Sequence, residues 1–315
     1  MKSNTDPEII PPEHCFPASA DAILALLLCA VDPKIGGVLL VGNEETANEA
    51  AVKCLSALLP PLIEKRCYHL GRGGFTGRVG HHSGSRHFLI KPRPLVTLPV
   101  DLRGEDINGG DDELDRMPIC PDFCTNLLAA ADQGVLHVPK INHRDADLRE
   151  KIFTAFHHRQ VHIEWRGKCY FRPSAFLLVA SVDSMELGGL SQRELDYFGL
   201  CVNGVHPLPE NTWRRESQFR SEQMSLFGEN PYGLLPAAKK LLPEVQIPDH
   251  IQERIATFSR TNEDAAQQKE CNTLQKAARA LAALNARKIV TGEDLDRTAK
   301  LVLPTTFLSK GLPSL

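Results

Sequence analysis

The chain has 315 residues, 42% of them apolar and 24% charged, the proportions of a soluble globular protein. Its net charge of −3 gives no overall basic field to recruit nucleic acid, and no run approaches the ~18 apolar residues of a membrane span. Nine cysteines, odd in number and scattered, point to reduced thiols in a cytoplasmic protein.

The polar, proline-rich tail of residues 1–15 is expected to be disordered. A helix is predicted over Ala18–Val31, with Ser19 or Asp21 to cap it and Asp32-Pro33 to end it. Its apolar stretch from Ala22 is too short, and lacks the basic flank, for a signal peptide. Val38–Val41, bounded by glycines, reads as a buried parallel strand. Ala47, Ala50, Ala51, Cys54, Leu55 and Leu58 fall at helical spacing and predict a helix over Thr46–Leu59.

Strand, tight loop and helix form the setting of a phosphate-binding loop. Such a loop needs glycines so that its amides can wrap a phosphate, a lysine for the β- and γ-phosphates, and Ser or Thr for magnesium. Gly42 opens the loop here, but Glu45 and Ala47 stand where glycines would be. Asn48 occupies the lysine position and Glu49 the Ser/Thr position, while Glu44 and Glu45 add negative charge where a polyanion would sit.

Pro60-Pro61 ends regular structure, and residues 66–94 read as a long irregular insertion rich in Gly, Arg and His. Within it His81–His87 reads as a solvated loop in preference to a metal site, as do His157, His158 and His162 around a later turn. A strand is predicted over Pro94–Pro99. The seven acids between Asp101 and Asp115 read as a solvated loop in preference to a cation site. Cys120 and Cys124 have no second pair at zinc-finger spacing. Helices follow over Asp122–Asp132 and Asp145–His157, with a buried strand at Gly134–Val138 between them. Val161–Phe171 reads as a hairpin turning at Arg166-Gly167-Lys168, and Ala175–Ala180 as a third buried strand. Thr212–Phe227 is predicted as a charged helix, and from Pro231 the pattern is all-helical, with Thr291 as a cap and Asp294 three residues on.

The run from Ala22 to Gly42 resembles the opening of the magnesium chelatase AAA+ subunits, the I subunit or the AAA+ domain of the D subunit, and the resemblance extends from about Phe16 to Leu303. Gly109, Asp112, Asn142, Leu190, Leu195, Asp196, Phe198-Gly199-Leu200, Leu241–Asp249 and Ala277-Ala278-Arg279 match that family's pattern. The resemblance implies an α/β AAA+ core over residues 16–228, a mostly parallel sheet flanked by helices, then an all-helical lid over 229–315. The family's catalytic positions are repeatedly replaced. Pro139 and Lys140 stand for the Asp-Glu that holds magnesium and polarises water, and Asp183 for the sensor Asn. Ser191 and Tyr197 replace arginines that reach a neighbour's γ-phosphate; Arg193 is nearby but displaced. Lys269 falls at the lid's sensor arginine, keeping the charge without the bidentate fork.

What the resemblance implies is thus a catalytically degenerate AAA+ subunit, structural or regulatory, of a magnesium-chelatase-like complex in tetrapyrrole metal insertion of the chlorophyll, bacteriochlorophyll or cobalamin type. It resembles the D subunit's AAA+ domain in role but lacks, as read, that subunit's acidic, proline-rich linker and integrin-like domain. The alternatives are an active I-type ATPase with unorthodox residues, or an AAA+-shaped interaction protein outside tetrapyrrole metabolism. Gly42, Thr46, Asn48, Glu49, Asp183 and Lys269 are expected to line a vestigial nucleotide pocket, with Lys140 pairing to Glu49 or Asp183. No catalytic residue or metal site is expected, and no cofactor beyond weak ATP and magnesium contact at most. Expected partners are AAA+ chelatase-like subunits, in a homo- or hetero-oligomer, with no nucleic acid and no membrane insertion.

Overall fold

The computed structural model describes residues 20–42, 45–66, 87–104, 107, 126–165, 168–183, 189–203, 233–259 and 265–302. Its first helix, α1 (Ala20–Val31), is buried at every position from Ala22 to Val31. A helix with no polar face cannot lie on a surface, so it must be covered on all sides. One side of α1 rests on a parallel sheet and the other is covered by the C-terminal helices.

Nine strands are described: β1 (Gly37–Val41), β2 (Leu62–Arg66), β3 (His87–Lys91), β4 (Leu95–Thr97), β5 (Val135–Val138), β6 (Gln160–Trp165), β7 (Lys168–Pro173), β8 (Leu177–Val182) and β9 (Phe198–Asn203). Five form the main sheet in the order β4-β5-β8-β1-β9, every pair parallel. The described helices after α1 are α2 (Glu45–Leu58), α3 (Leu127–Ala130), α4 (Ala146–His158), α5 (Gln192–Leu195), α6 (Leu234–Leu241), α7 (Asp249–Ser259), α8 (Ala265–Leu284) and α9 (Gly292–Ala299).

Side chains alternate across each strand and divide the core in two. Val38, Leu40, Val135, Val179, Leu200 and Val202 join α1, α2 and the C-terminal helices in one cluster. Leu39, Val41, Leu136, Val138, Leu178 and Ala180 pack on the other face with Ile152 and Phe153 of α4. The C-terminal helices therefore share a core with the sheet. Two polar contacts reinforce this: Lys276 Nζ donates to Lys34 O at 3.0 Å, and Cys201 N to Leu301 O at 2.7 Å.

Glycines set how closely the start of β1 meets the start of β9. Gly36 has φ +119°, and Gly37 N donates to Tyr197 O at 2.8 Å. A Cβ on Gly199 would lie 2.1 Å from Ile35 O, and one on Gly36 2.9 Å from Gly199 N. The motif residues Gly36, Gly37 and Phe198-Gly199 thus meet along one seam.

Several expectations needed correction. The insertion expected to be irregular from residue 66 is bounded by an antiparallel ladder of β2 with β3, Leu62 opposite Lys91 through Arg66 opposite His87. Its two strands are separated by 20 residues of sequence, beyond the reach of local periodicity. His87, expected in a loop, belongs to β3. The helix expected over 122–132 is a single α-turn in the described part, capped by Asn126, whose Oδ1 accepts from Leu128 N and Ala129 N at 2.9 and 3.0 Å. The expected N-terminal tail, the helix over Thr212–Phe227, Cys120, Cys124, His81, His82 and the boundary at 228–229 lie outside the described residues. Among the described residues no helix is long and apolar enough to cross a membrane.

Because the obstruction at Gly199 is backbone, it cannot rotate away. Gly199→Ala is expected to lower stability by about 1–3 kcal/mol, seen as a lower midpoint in denaturant unfolding with an unchanged slope; a midpoint equal to the parent's would contradict the seam.

Candidate functional site

The strands of the main sheet all end at one edge, and the loop-helix pattern after β1 lies there. Gly42 has φ +152° and donates its N–H to Val182 O at 3.0 Å, which places it beside the end of β8. α2 begins at Glu45 and packs on β5 and β8. Thr46 and Glu49 are exposed, and Glu49 pairs with Lys53 one turn on at 3.3 Å. Asn48 is only 1% exposed, and neither Nδ2 nor Oδ1 has a hydrogen-bond partner among the described residues.

The turn after β5 faces this end of α2. Lys140 adopts a left-handed backbone at φ +47° and ψ +54°, uncommon outside glycine, and its N–H donates to Ser181 Oγ at 3.1 Å. Its Nζ lies 3.7 Å from Glu45 Oε1. The expected pairing with Glu49 or Asp183 is therefore corrected to Glu45, in the first turn of α2, while Glu49 is engaged within its own helix. Both partners are 45% exposed, so the pair contributes on the order of 1 kcal/mol or less. The pair joins the turn after β5 to the first turn of α2.

Arg144 fixes this turn from beneath. It is 4% exposed, and its Nε donates to Pro139 O and its Nη2 to Leu98 O, both at 3.1 Å, while Nη1 donates to Pro99 O. Burial lowers its pKa, opposed by Asp101, Glu45 and Asp145. One buried guanidinium thereby ties the end of β5 to the segment after β4.

His137 lies two residues before Pro139, on the same face of β5 as Val135 and so toward α2. It is 1% exposed, and neither ring nitrogen has a hydrogen-bond partner among the described residues. Burial pushes its pKa down to about 4, with Glu49 raising it and Arg144 lowering it further. The ring is neutral at physiological pH.

Asp183 follows the end of β8, half-buried, at the same edge as Gly42, Asn48 and Glu49. Lys269 does not join them. Its Nζ donates to Asp196 O at 2.6 Å and to Asp196 Oδ1 at 2.8 Å. Asp196 precedes β9, whose Phe198 pairs with Gly37, so this contact lies where the strands begin. Ser191 and Tyr197, the positions expected to have lost arginines, have local roles there. Ser191 forms a capping box with Glu194 at the head of α5, and Tyr197 stacks on Phe153 at 4.7 Å between ring centroids. Arg149 Nε meets Glu194 Oε1 at 2.6 Å. Burial alone would raise the Glu194 pKa; hydrogen bonds from Ser191 and Arg149 outweigh it and hold the carboxyl below its usual range. Among the described residues no group of three or more His, Cys, Asp or Glu is placed to hold a metal.

A parallel sheet of this order, with a loop and helix after β1 and a helical C-terminal region on the same core, defines an AAA+ module. A family model for the AAA lid domain matches residues 272–305. The magnesium-chelatase subunit ChlI homolog of Methanocaldococcus jannaschii is 30% identical over 301 residues, covering 89% of this chain and 80% of its own. The 38 kDa magnesium-chelatase subunit of Rhodobacter capsulatus is 29% identical over 306 residues, covering 91% and 87%. A structure of the complex between the magnesium chelatase subunits BchI and BchD, built on a cryo-EM reconstruction, matches with a TM-score of 0.50 and 26% identity, covering 96% of this chain and 99% of that one. The chain belongs to the magnesium-chelatase I-subunit family.

Sequence reading passed over Glu45 as a partner of Lys140, and over Arg144, Ser181 and His137. A histidine inside an otherwise apolar strand was the one available signal among them. His137 has its pKa depressed from 6.5 to about 4, so it stabilises the fold fully above pH 6.5, and that contribution is lost as pH falls toward 4. The acid loss attributable to this ring is at most about 3 kcal/mol. His137→Phe is expected to flatten the stability profile between those pH values, and equal slopes in parent and variant would contradict it.

Proposed function

We propose that this chain is a non-hydrolysing AAA+ subunit of a magnesium-chelatase-like complex, structural or regulatory, serving metal insertion into a tetrapyrrole of the chlorophyll, bacteriochlorophyll or cobalamin type. The ion pair of Lys140 with Glu45 carries this reading. By the family pattern, Lys140 occupies the position of the water-polarising glutamate, and Glu45 that of a loop glycine. A cation and an anion therefore meet where magnesium and triphosphate would lie. Asn48 cannot supply the lysine's charge, and Glu49 and Asp183 oppose a polyanion at the same edge. At the other edge Ser191 and Tyr197 are committed to a helix cap and a ring stack.

Association with AAA+ chelatase-like subunits is the accompanying role. Its support is the likeness to a solved complex of two such subunits and a frame that keeps the family's seam glycines, Asp196 and Phe198. An active I-type ATPase is the second reading, favoured by likeness to I subunits over about nine-tenths of the chain.

Calorimetry and steady-state turnover with Mg-ATP separate the two. The proposal expects no turnover and weak or absent binding; micromolar affinity with steady hydrolysis would overturn it. Restoring Asn48→Lys, Glu49→Ser, Pro139→Asp and Lys140→Glu together is expected not to recover activity, because the loop glycines and the arginines at 191 and 197 would still be missing. Turnover above one per minute in that variant would show that the frame alone suffices.

A further inference from the structure

The ladder of β2 with β3 carries the two most exposed large apolar side chains among the described residues. Ile63 and Ile90 are 69% and 68% exposed and stand directly opposite each other in the register. Residues opposed in this way share one face of a ladder. The ladder pairs with no further strand among the described residues, so both of its outer edges are open there. An open edge beside exposed apolar side chains is a template for another strand, and proteins usually blunt or cover it.

The positions that alternate with Ile90 are cationic toward the base of the ladder. Lys91 pairs with Leu62 in the register, and Arg93 continues the line two residues on. Arg93 is fixed there, its Nε donating to Pro60 O at 2.7 Å and its Nη1 to Gln133 O at 2.5 Å, with no ion pair among the described residues. Lys239 of α6 adds a second charge beside it. Partial burial and then the Arg93 guanidinium lower its pKa. Lys239 has no hydrogen bond or ion pair among the described residues. From Lys65 to Val100 the sequence holds seven Lys or Arg and no Asp or Glu, so this basic character is local in a chain of net charge −3. Two neighbouring cations without an acid are stabilised when a carboxylate meets both.

A strand laid along an edge of this ladder points alternate side chains to the two faces. One set meets the Ile63–Ile90 pair, and the other meets the charges of Arg93 and Lys239. We propose that this edge receives an extended segment of a partner subunit in which acidic and apolar residues alternate, its backbone pairing with the ladder and its carboxylates meeting Arg93 and Lys239. The proposal rests on the reading of this chain as a subunit of a larger assembly.

Fluorescence anisotropy of the full chain with a labelled peptide of alternating Glu and Val tests it, with thermal melts to show that each variant folds. About eight residues, at roughly 3.3 Å each, span the ladder and the cations beyond it. The parent is expected to bind this peptide, more weakly as salt goes from about 0.05 to about 0.5 M. Lys239→Glu, and Ile63→Ser combined with Ile90→Ser, are each expected to weaken binding about tenfold or more. N-methylation of the set of alternate peptide amides that pairs with the ladder is expected to do the same. A peptide of alternating Lys and Val bound as well as the acidic one, parent-like affinity in either variant, or tighter binding of a single-stranded oligonucleotide of equal charge would overturn the proposal. No peptide binding, in a chain that still co-sediments with an active I-type subunit, would overturn the docking edge and leave assembly standing. Peptide binding without any subunit association would support the edge and overturn assembly.

Discussion

The close approach of the Gly36-Gly37 turn to the start of β9 is the constraint on which the rest of this structure depends. It lets Tyr197 O accept from Gly37 N, sets the pairing of β1 with β9, and fixes α5 immediately before that strand. It also holds the lower end of α1 through the short helical turn at Pro33–Ile35, whose Lys34 carbonyl accepts from Lys276 of α8. Because α1 is apolar all round, the sheet and the C-terminal helices cannot part without exposing it. The seam therefore couples strand register, the buried helix and the C-terminal region in one cooperative unit.

Above that seam, at the strand ends, the same frame positions very different chemistry. Arg144 and Ser181 hold the turn after β5 through backbone carbonyls and one N–H, so these contacts use none of the side-chain atoms of 139 and 140. Lys140 meets Glu45 there in an exposed pair that is weak in energy. Buried beside them, Asn48 and His137 are both neutral hydrogen-bonding groups in an apolar setting.

Much of this was legible in the sequence because it rests on local rules. The strands β1, β5 and β8, the helix α4 and the Thr291–Asp294 capping box all follow from periodicity and cap residues. The seam was visible only as matching glycines; that Gly36 and Gly199 face each other needs the fold. The pairing of Lys140 with Glu45, about 95 residues apart, and the three carbonyls gathered by Arg144 are tertiary facts with no local signature. Lys269 shows the opposite error. Motif spacing placed it in the pocket, while its partner Asp196 places it at the other edge, because spacing along a helix does not say which end of a sheet the helix lies against.

The most direct test of the closed, charge-filled pocket is a crystal structure grown with millimolar magnesium and a non-hydrolysable ATP analogue. The account predicts the Lys140 amine within ion-pair distance of Glu45 and no triphosphate between Gly42 and Asn48. A triphosphate wrapped by the amides of that loop, with Lys140 displaced from Glu45, would contradict it.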